Sequence, residues 1–115
     1  MPQHGDTHWQ LDMPEAIDPR RPGILEWRIE GAGSCIVRAT SLARCIRQYE
    51  ESVRRLGQGL PHRVGAYREI HRLLRKAADE GRQVTVIGLE TCEAADLPAR
   101  KRHWVALRGT LNEAA

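Results

Sequence analysis

Gly23-Ile24-Leu25-Glu26-Trp27-Arg28-Ile29-Glu30-Gly31-Ala32-Gly33-Ser34-Cys35-Ile36-Val37-Arg38 is the stretch on which the fold turns. Leu25, Trp27 and Ile29 fall on one face and Glu26, Arg28 and Glu30 on the other, the period of two that defines a strand. Gly31-Ala32-Gly33 supplies a turn with two residues free to take positive φ. Ser34 to Arg38 is a second short strand, so the pair is expected to form an antiparallel hairpin.

Outward from the hairpin the period changes. Ser41 is a good N-cap, and Leu42, Ile46, Tyr49, Val53 and Leu56 then recur at helical spacing up to Gly57. After a Gly/Pro-containing loop, a second helix is expected from about Arg63 to Glu80, with Ala66, Tyr67, Ile70, Leu73, Leu74 and Ala77 as its buried stripe. Gln83 to Glu90 carries Val84, Val86 and Ile87 and almost no charge, which predicts a well-covered strand. Asp96 and Pro98 open a third helix on which Leu97, Lys101, Trp104, Val105 and Arg108 share a face, and Gly109 ends it. The expected order is β-β-α-α-β-α: an α+β domain with a small three-stranded antiparallel sheet flanked by three helices.

Residues 1–22 show no periodicity, and Pro14, Pro19 and Pro22 interrupt them; they read as a flexible N-terminal arm, residues 23–113 as the domain and 114–115 as a tail. His4 and His8 are four apart, but Pro2, Gly5 and the lack of a third ligand argue for a solvated terminus over a metal site.

The 115 residues suffice for one domain, and with no Phe the three Trp and two Tyr must supply its aromatic bulk. A net charge of +3 is mildly basic, so an argument about partners rests on where the charge sits. There is no long apolar run and no secretion signal, which leads to the expectation of a cytoplasmic protein with no membrane span. Cys35, Cys45 and Cys92 are an odd number without CxxC spacing and read as free thiols.

The order and punctuation of these elements resemble the GIY-YIG nuclease superfamily. Gly23-Ile24-Leu25 is similar to its Gly-Ile-Tyr strand and Cys35-Ile36-Val37 to its Tyr-Ile-Gly. Ser41-Leu42-Ala43-Arg44-Cys45-Ile46-Arg47-Gln48-Tyr49 is similar to its Asn-Leu-x-x-Arg-x-x-x-His/Tyr helix. Tyr67-Arg68-Glu69-Ile70, the strand Val84–Glu90, Arg102-His103-Trp104-Val105 and Leu111-Asn112-Glu113 follow in the family's order. The resemblance covers about residues 22 to 113.

The resemblance implies two tyrosines, an arginine and a metal-binding glutamate around a scissile phosphate. A tyrosine would act as general base, the arginine would stabilise the phosphate, and the glutamate would hold a divalent cation. Carried over by position, these places hold Leu25, Cys35, Cys45 and Lys101, and Asn112 alone is retained among the polar marks. A charged lysine offers no acceptor and cannot bind Mg²⁺. The expectation is therefore a GIY-YIG-like scaffold with no intact catalytic residue, no bound metal and no cofactor. Lys101 reads either as a stem packed on the third helix with its amine in water or as a phosphate-facing cation. Cys35 and Cys45 read either as a reactive pair or as small fillers of a vacated site, the second being the commoner use of such residues.

Between Arg38 and Lys76 there are ten Arg/Lys and three Glu. A stripe of Arg44, Arg47, Arg54, Arg55, Arg68, Arg72 and Arg75 along the first two helices, joined by Lys101, is expected to bind nucleic acid, possible DNA included, without cutting it. Few aromatics are present, so sequence-specific reading of single strands is not expected. Two alternatives stand beside this one. The first is a protein-interaction module of inhibitor or immunity type. The second is an active endonuclease using Mg²⁺ or Mn²⁺ with relocated ligands among Glu90, Glu93 and Asp96.

Overall fold

The structure is a computed structural model and describes residues 9–112, so His4, His8 and the closing Glu113-Ala114-Ala115 lie outside the described residues. In chain order the elements are β1 (Gln10–Asp12), β2 (Gly23–Ile29), β3 (Gly33–Ala39), α1 (Leu42–Gly57), α2 (Glu69–Asp79), β4 (Val84–Thr91), a 3-10 turn (Ala94–Asp96) and α3 (Leu97–Arg108). The class is α+β. The sheet, however, is four-stranded and mixed, in the order β1-β4-β2-β3, rather than three-stranded and antiparallel. β2 runs antiparallel to both neighbours, while β1 lies parallel to β4.

β1 falls within the stretch expected to be a flexible arm. Its three residues are all exposed, so it has no buried face and no alternation for a sequence reading to find. Backbone pairing to β4 and its flanks hold it instead: Trp9, Met13 and Ile17 pack on the main core. Gly88 on β4 leaves room for this, since a Cβ there would press into the Met13 sulfur and approach Ile17. The same segment also caps a helix. The Pro19 and Arg21 carbonyls accept from Ala43 N (2.7 Å) and Leu42 N (3.2 Å), and Ser41 Oγ accepts from Arg44 N (3.4 Å). Three of the four first-turn donors of α1 are thereby satisfied within the chain.

The hairpin alternation is realised. Leu25, Trp27, Ile29, Cys35, Val37 and Ala39 face α1 and α2 and form one core with Leu42, Ile46, Tyr49, Val53, Ile70, Leu74 and Ala77. The opposite face is also covered. Ile24 and Ile36 pack beneath α3 with Leu97, Trp104 and Val105. Glu26, on this polar side of β2, is only 1% exposed. Its carboxylate accepts from Ser34 Oγ (2.7 Å) and Arg28 Nε (3.2 Å) and pairs with Arg108 Nε at 2.7 Å. A buried carboxylate survives only with such compensation.

The second helix begins six residues later than the spacing predicts. Gly65 sits at φ +73°, a conformation no α-helix holds, and Ala66 stays exposed. Residues between Gln58 and Arg68 are loop, pinned by the Tyr67 hydroxyl donating to the Leu60 carbonyl at 2.7 Å. At the far edge of the sheet, Asn112 takes the place of a strand. Its Oδ1 accepts from Ile36 N (2.8 Å) and its Nδ2 donates to Ile36 O (2.9 Å), while Leu111 N donates to Ser34 O (2.8 Å). Asn112 thus closes the outer edge of β3, which would otherwise present unpaired backbone groups.

Candidate nucleic-acid interface

The end of β3, the first turns of α1, the residue before α2 and the start of α3 meet around an open cleft of about 550 Å³. Arg38, Arg44 and Arg68 line it, together with Cys45, Tyr49 and Pro98 among others, and no carboxylate does. A second groove of about 440 Å³ shares Arg38 and Pro98 with the cleft and adds Lys101 and Arg102, again with no acid in its lining. The two form a cationic track across α1, β3 and α3.

Tyr49 is the aromatic residue of the cleft lining, and it rests on the buried Trp27. Trp27 and Tyr49 stack with centroids 4.8 Å apart and planes within 6°. Arg68 Nη2 donates to the Tyr49 hydroxyl at 2.6 Å, with the guanidinium carbon 5.8 Å from the ring centroid. The backbone of Arg68 is held as well: its N–H donates to His71 Nδ1 at 3.0 Å, and His71 N donates to the Arg68 carbonyl. Burial pushes the Tyr49 phenol well up, the Arg68 charge opposing this in part, so the hydroxyl keeps its proton at neutral pH.

The positions that the resemblance assigns to catalysis are placed as follows. Leu25 is wholly buried in the core. Cys35 is 3% exposed, and burial raises its thiol against the pull of Arg68 and Lys101. Cys45 lines the cleft, with its thiol pushed up to about 11, chiefly by burial. Neither is a thiolate at neutral pH, so neither is an activated nucleophile. Lys101 is half-buried in the adjoining groove. Cys45 therefore leaves the first helix without an arginine at that point, but Arg68, from the loop before α2, carries a guanidinium into the same cleft. Its charge acts on Cys35, Cys45 and Tyr49 alike.

The eight expected binding residues divide. Arg44, Arg68 and Lys101 line the track. Arg47 and Arg54 are exposed on the outer face of α1. Arg55 spends its guanidinium on the Pro61 carbonyl (3.1 and 3.0 Å), and Arg72 reaches the Tyr67 carbonyl (3.1 Å) and Glu69 (3.9 Å). Arg75 is not on a solvent face at all. It is 8% exposed and bonded to the Val53 carbonyl (3.3 Å) and Asp79 (2.6 Å). Gly57 makes this possible, because any side chain there would occupy the space of the Arg75 guanidinium. Arg38 and Arg102 also line the track, and helical spacing along the first two helices does not single them out. Arg38 is the one exposed residue among the buried positions of β3, a signal that alternation shows but does not interpret.

Of the relocated metal ligands, Glu90 accepts from Arg100 Nε (2.5 Å) and Trp104 Nε1 (2.8 Å), and Glu93 pairs with Arg21 at 3.3 Å. Among the described residues no three His, Cys, Asp or Glu side chains converge as a metal-ligand group. Compared with known proteins, the chain matches no family model, no curated protein and no solved structure.

Proposed function

We propose that this chain binds the phosphate backbone of nucleic acid along the track of Arg38, Arg44, Arg68, Lys101 and Arg102, and does not cleave it. The observation that carries the reading is one concave cleft lined by three arginines and no carboxylate. Charges gathered in a cleft attract a polyanion more strongly than the same charges spread over convex helix faces. Arg38, Arg44, Lys101 and Arg102 also have no carboxylate within ion-pair distance among the described residues, unlike Arg63, Arg72 and Arg75. In this reading the chain is a GIY-YIG-like scaffold whose general-base, arginine and glutamate positions are Leu25, Cys35, Cys45 and Lys101. Phosphate recognition is kept, through Arg68, and bond cleavage is not.

The test is fluorescence anisotropy with labelled DNA across a salt series. Five phosphate contacts give a slope of log affinity against log salt of at most about −4.5 for a duplex. Arg38→Gln, Arg44→Gln and Lys101→Gln are each expected to flatten the slope by about 1, and Arg54→Gln to leave it unchanged. Absent or salt-insensitive binding at low ionic strength refutes the proposal, and binding that responds to Arg54 but not to Arg38 moves the interface to the outer face of α1.

A further inference from the structure

The basic cleft has a neighbour of different chemistry. A cavity of about 460 Å³ opens on the other side of Gln48, Tyr49 and Arg68, which line both. That size lies within the usual range for sites that enclose small molecules. Its walls include the imidazoles of His62 and His71 and the small residues Ser52 and Ala66. His62 is held at both nitrogens, with Nδ1 2.6 Å from the Val64 carbonyl and Nε2 3.1 Å from Ser52 Oγ. Its ring lies 5.1 Å from His71 with a 30° tilt and meets the Tyr67 ring edge-on at 4.9 Å. A flat π-surface in a fixed orientation therefore stands beside the cationic cleft.

The other arginines of this cavity are engaged. Arg55 bonds the Pro61 carbonyl and Arg63 pairs with Glu51. Arg68 is the cation shared with the cleft, and Gln48, on the same shared wall, is exposed and makes no side-chain hydrogen bond among the described residues. Glu51 also lines the cavity, but it is paired with Arg63, so the two spaces together suit a ligand that joins an anionic group to a flat ring with polar edges. A nucleotide is built this way, and its base reaches the cavity only when it is not paired within a duplex.

We propose that the cavity receives the base of an unpaired nucleotide whose phosphate lies in the basic cleft, with Arg68 between the two. This rests on the reading of the cleft as a phosphate site. It makes the preferred ligand a strand with an unpaired nucleotide rather than an uninterrupted duplex. Stacking on ring faces is tolerant of base identity, so little sequence preference is expected.

Four labelled probes test it: a blunt DNA hairpin, the same hairpin with a three-nucleotide single-stranded extension, that extension made abasic, and the extension as RNA. The extended hairpin is expected to bind at least about fivefold more tightly than the blunt one, the low end of one base–ring stack. The abasic extension should fall back to the blunt affinity, and comparison of the DNA and RNA extensions identifies the preferred sugar. Ala66→Leu narrows the cavity from an exposed loop position that does not line the cleft, and should erase the advantage of the extension while leaving blunt binding unchanged. Equal binding of native and abasic extensions by the wild-type chain overturns the cavity proposal and leaves the cleft reading standing. Failure of all four probes to bind at low salt overturns the cleft reading first, and the cavity proposal with it.

Discussion

His71 sets a pH limit on the stability of this domain. Its side chain is 4% exposed, its Nδ1 accepts the Arg68 backbone N–H at 3.0 Å, and its ring is enclosed by Tyr49 and His62, each 5.1 Å away, and Tyr67. Burial lowers its pKa to about 4, and the positive charges of Arg68, His62 and Arg72 push the same way. In the unfolded chain the group returns to its ordinary value near 6.5. Between those values the unfolded chain binds the proton and the folded chain does not, so stability rises with pH across this window. It is fully present above about pH 6.5 and is lost as pH falls towards 4. Each pKa unit corresponds to about 1.4 kcal/mol, so the loss is on the order of 3 kcal/mol, a large part of what a domain of this size has. The assay is urea unfolding of wild type and His71→Gln at pH 4, 5, 6 and 7. Glutamine keeps an acceptor for the Arg68 N–H and does not titrate, so subtracting its curve cancels the contribution of the carboxylates. The wild-type stability should fall by about 3 kcal/mol relative to the variant between pH 7 and pH 4. Parallel curves, or an NMR titration that places the His71 midpoint at 6 or above, refute the reasoning.

Asn112→Ala strips both groups that close the β3 edge at Ile36 and should cost about 1–3 kcal/mol by urea unfolding, with faster aggregation on warming; a loss below about 0.5 kcal/mol contradicts the edge-closing role. Gly57→Ala poses two effects against each other. Helix propensity favours alanine by about 1 kcal/mol, but the new Cβ would displace the buried Arg75 guanidinium, so a net fall in melting temperature is expected and a rise would show that Arg75 moves without cost. Arg108→Ala leaves the Glu26 carboxylate buried with only Ser34 and Arg28, for a cost of about 2 kcal/mol, and Glu26→Gln in the same background should recover part of it; no recovery would mean that packing by the Arg108 stem, not its charge, is what matters. With Mg²⁺ or Mn²⁺, purified protein is expected to leave supercoiled DNA intact, since Cys45 and Lys101 stand where the resemblance expects arginine and glutamate; nicking that Arg68→Gln abolishes would show that the relocated guanidinium still serves catalysis.

The parts of the fold that sequence discloses are those with a repeating burial pattern. β2 and β3 alternate, α1 has a Ser41 cap and a clean apolar stripe, and β4 has little charge and buries Val84, Val86 and Ile87. Where burial has no period, the reading fails for a physical reason. β1 buries none of its three side chains and is specified by a neighbour's backbone. Apolar residues at helical spacing before Glu69 do not make a helix, because Gly65 adopts positive φ and the Tyr67 hydroxyl ties the loop to Leu60. Glu26 and Arg75 carry charge and so read as solvent-facing, yet each is buried against partners far away in sequence, Arg108 for the first and Val53 for the second. The candidate site suffers most from this, because it is assembled from four separate elements. Helical spacing places Arg44 on the outer face of α1 and Lys101 on the face of Leu97 and Trp104. The proximity of Arg68 to Cys45 depends on how a loop returns to α1, and no local pattern encodes that.

Arg68 is the residue through which core, cleft and cavity communicate. Its backbone is fixed by His71 and its side chain by Tyr49, and Tyr49 is itself stacked on Trp27 in the centre of the sheet. A guanidinium restrained at both ends loses little further freedom when an anion arrives, which is the condition under which an arginine contributes most of its interaction energy to binding. The outer arginines of α1 lack that restraint; they would have to be ordered by the ligand itself. The same anchoring is sensitive to acid. In the folded chain His71 takes up its proton only near pH 4, and there it can no longer accept the Arg68 N–H, so protonation of the folded state loosens a cation that lines the cleft. The basic track therefore depends on the packing of two aromatic rings and one neutral imidazole as much as on its count of charges.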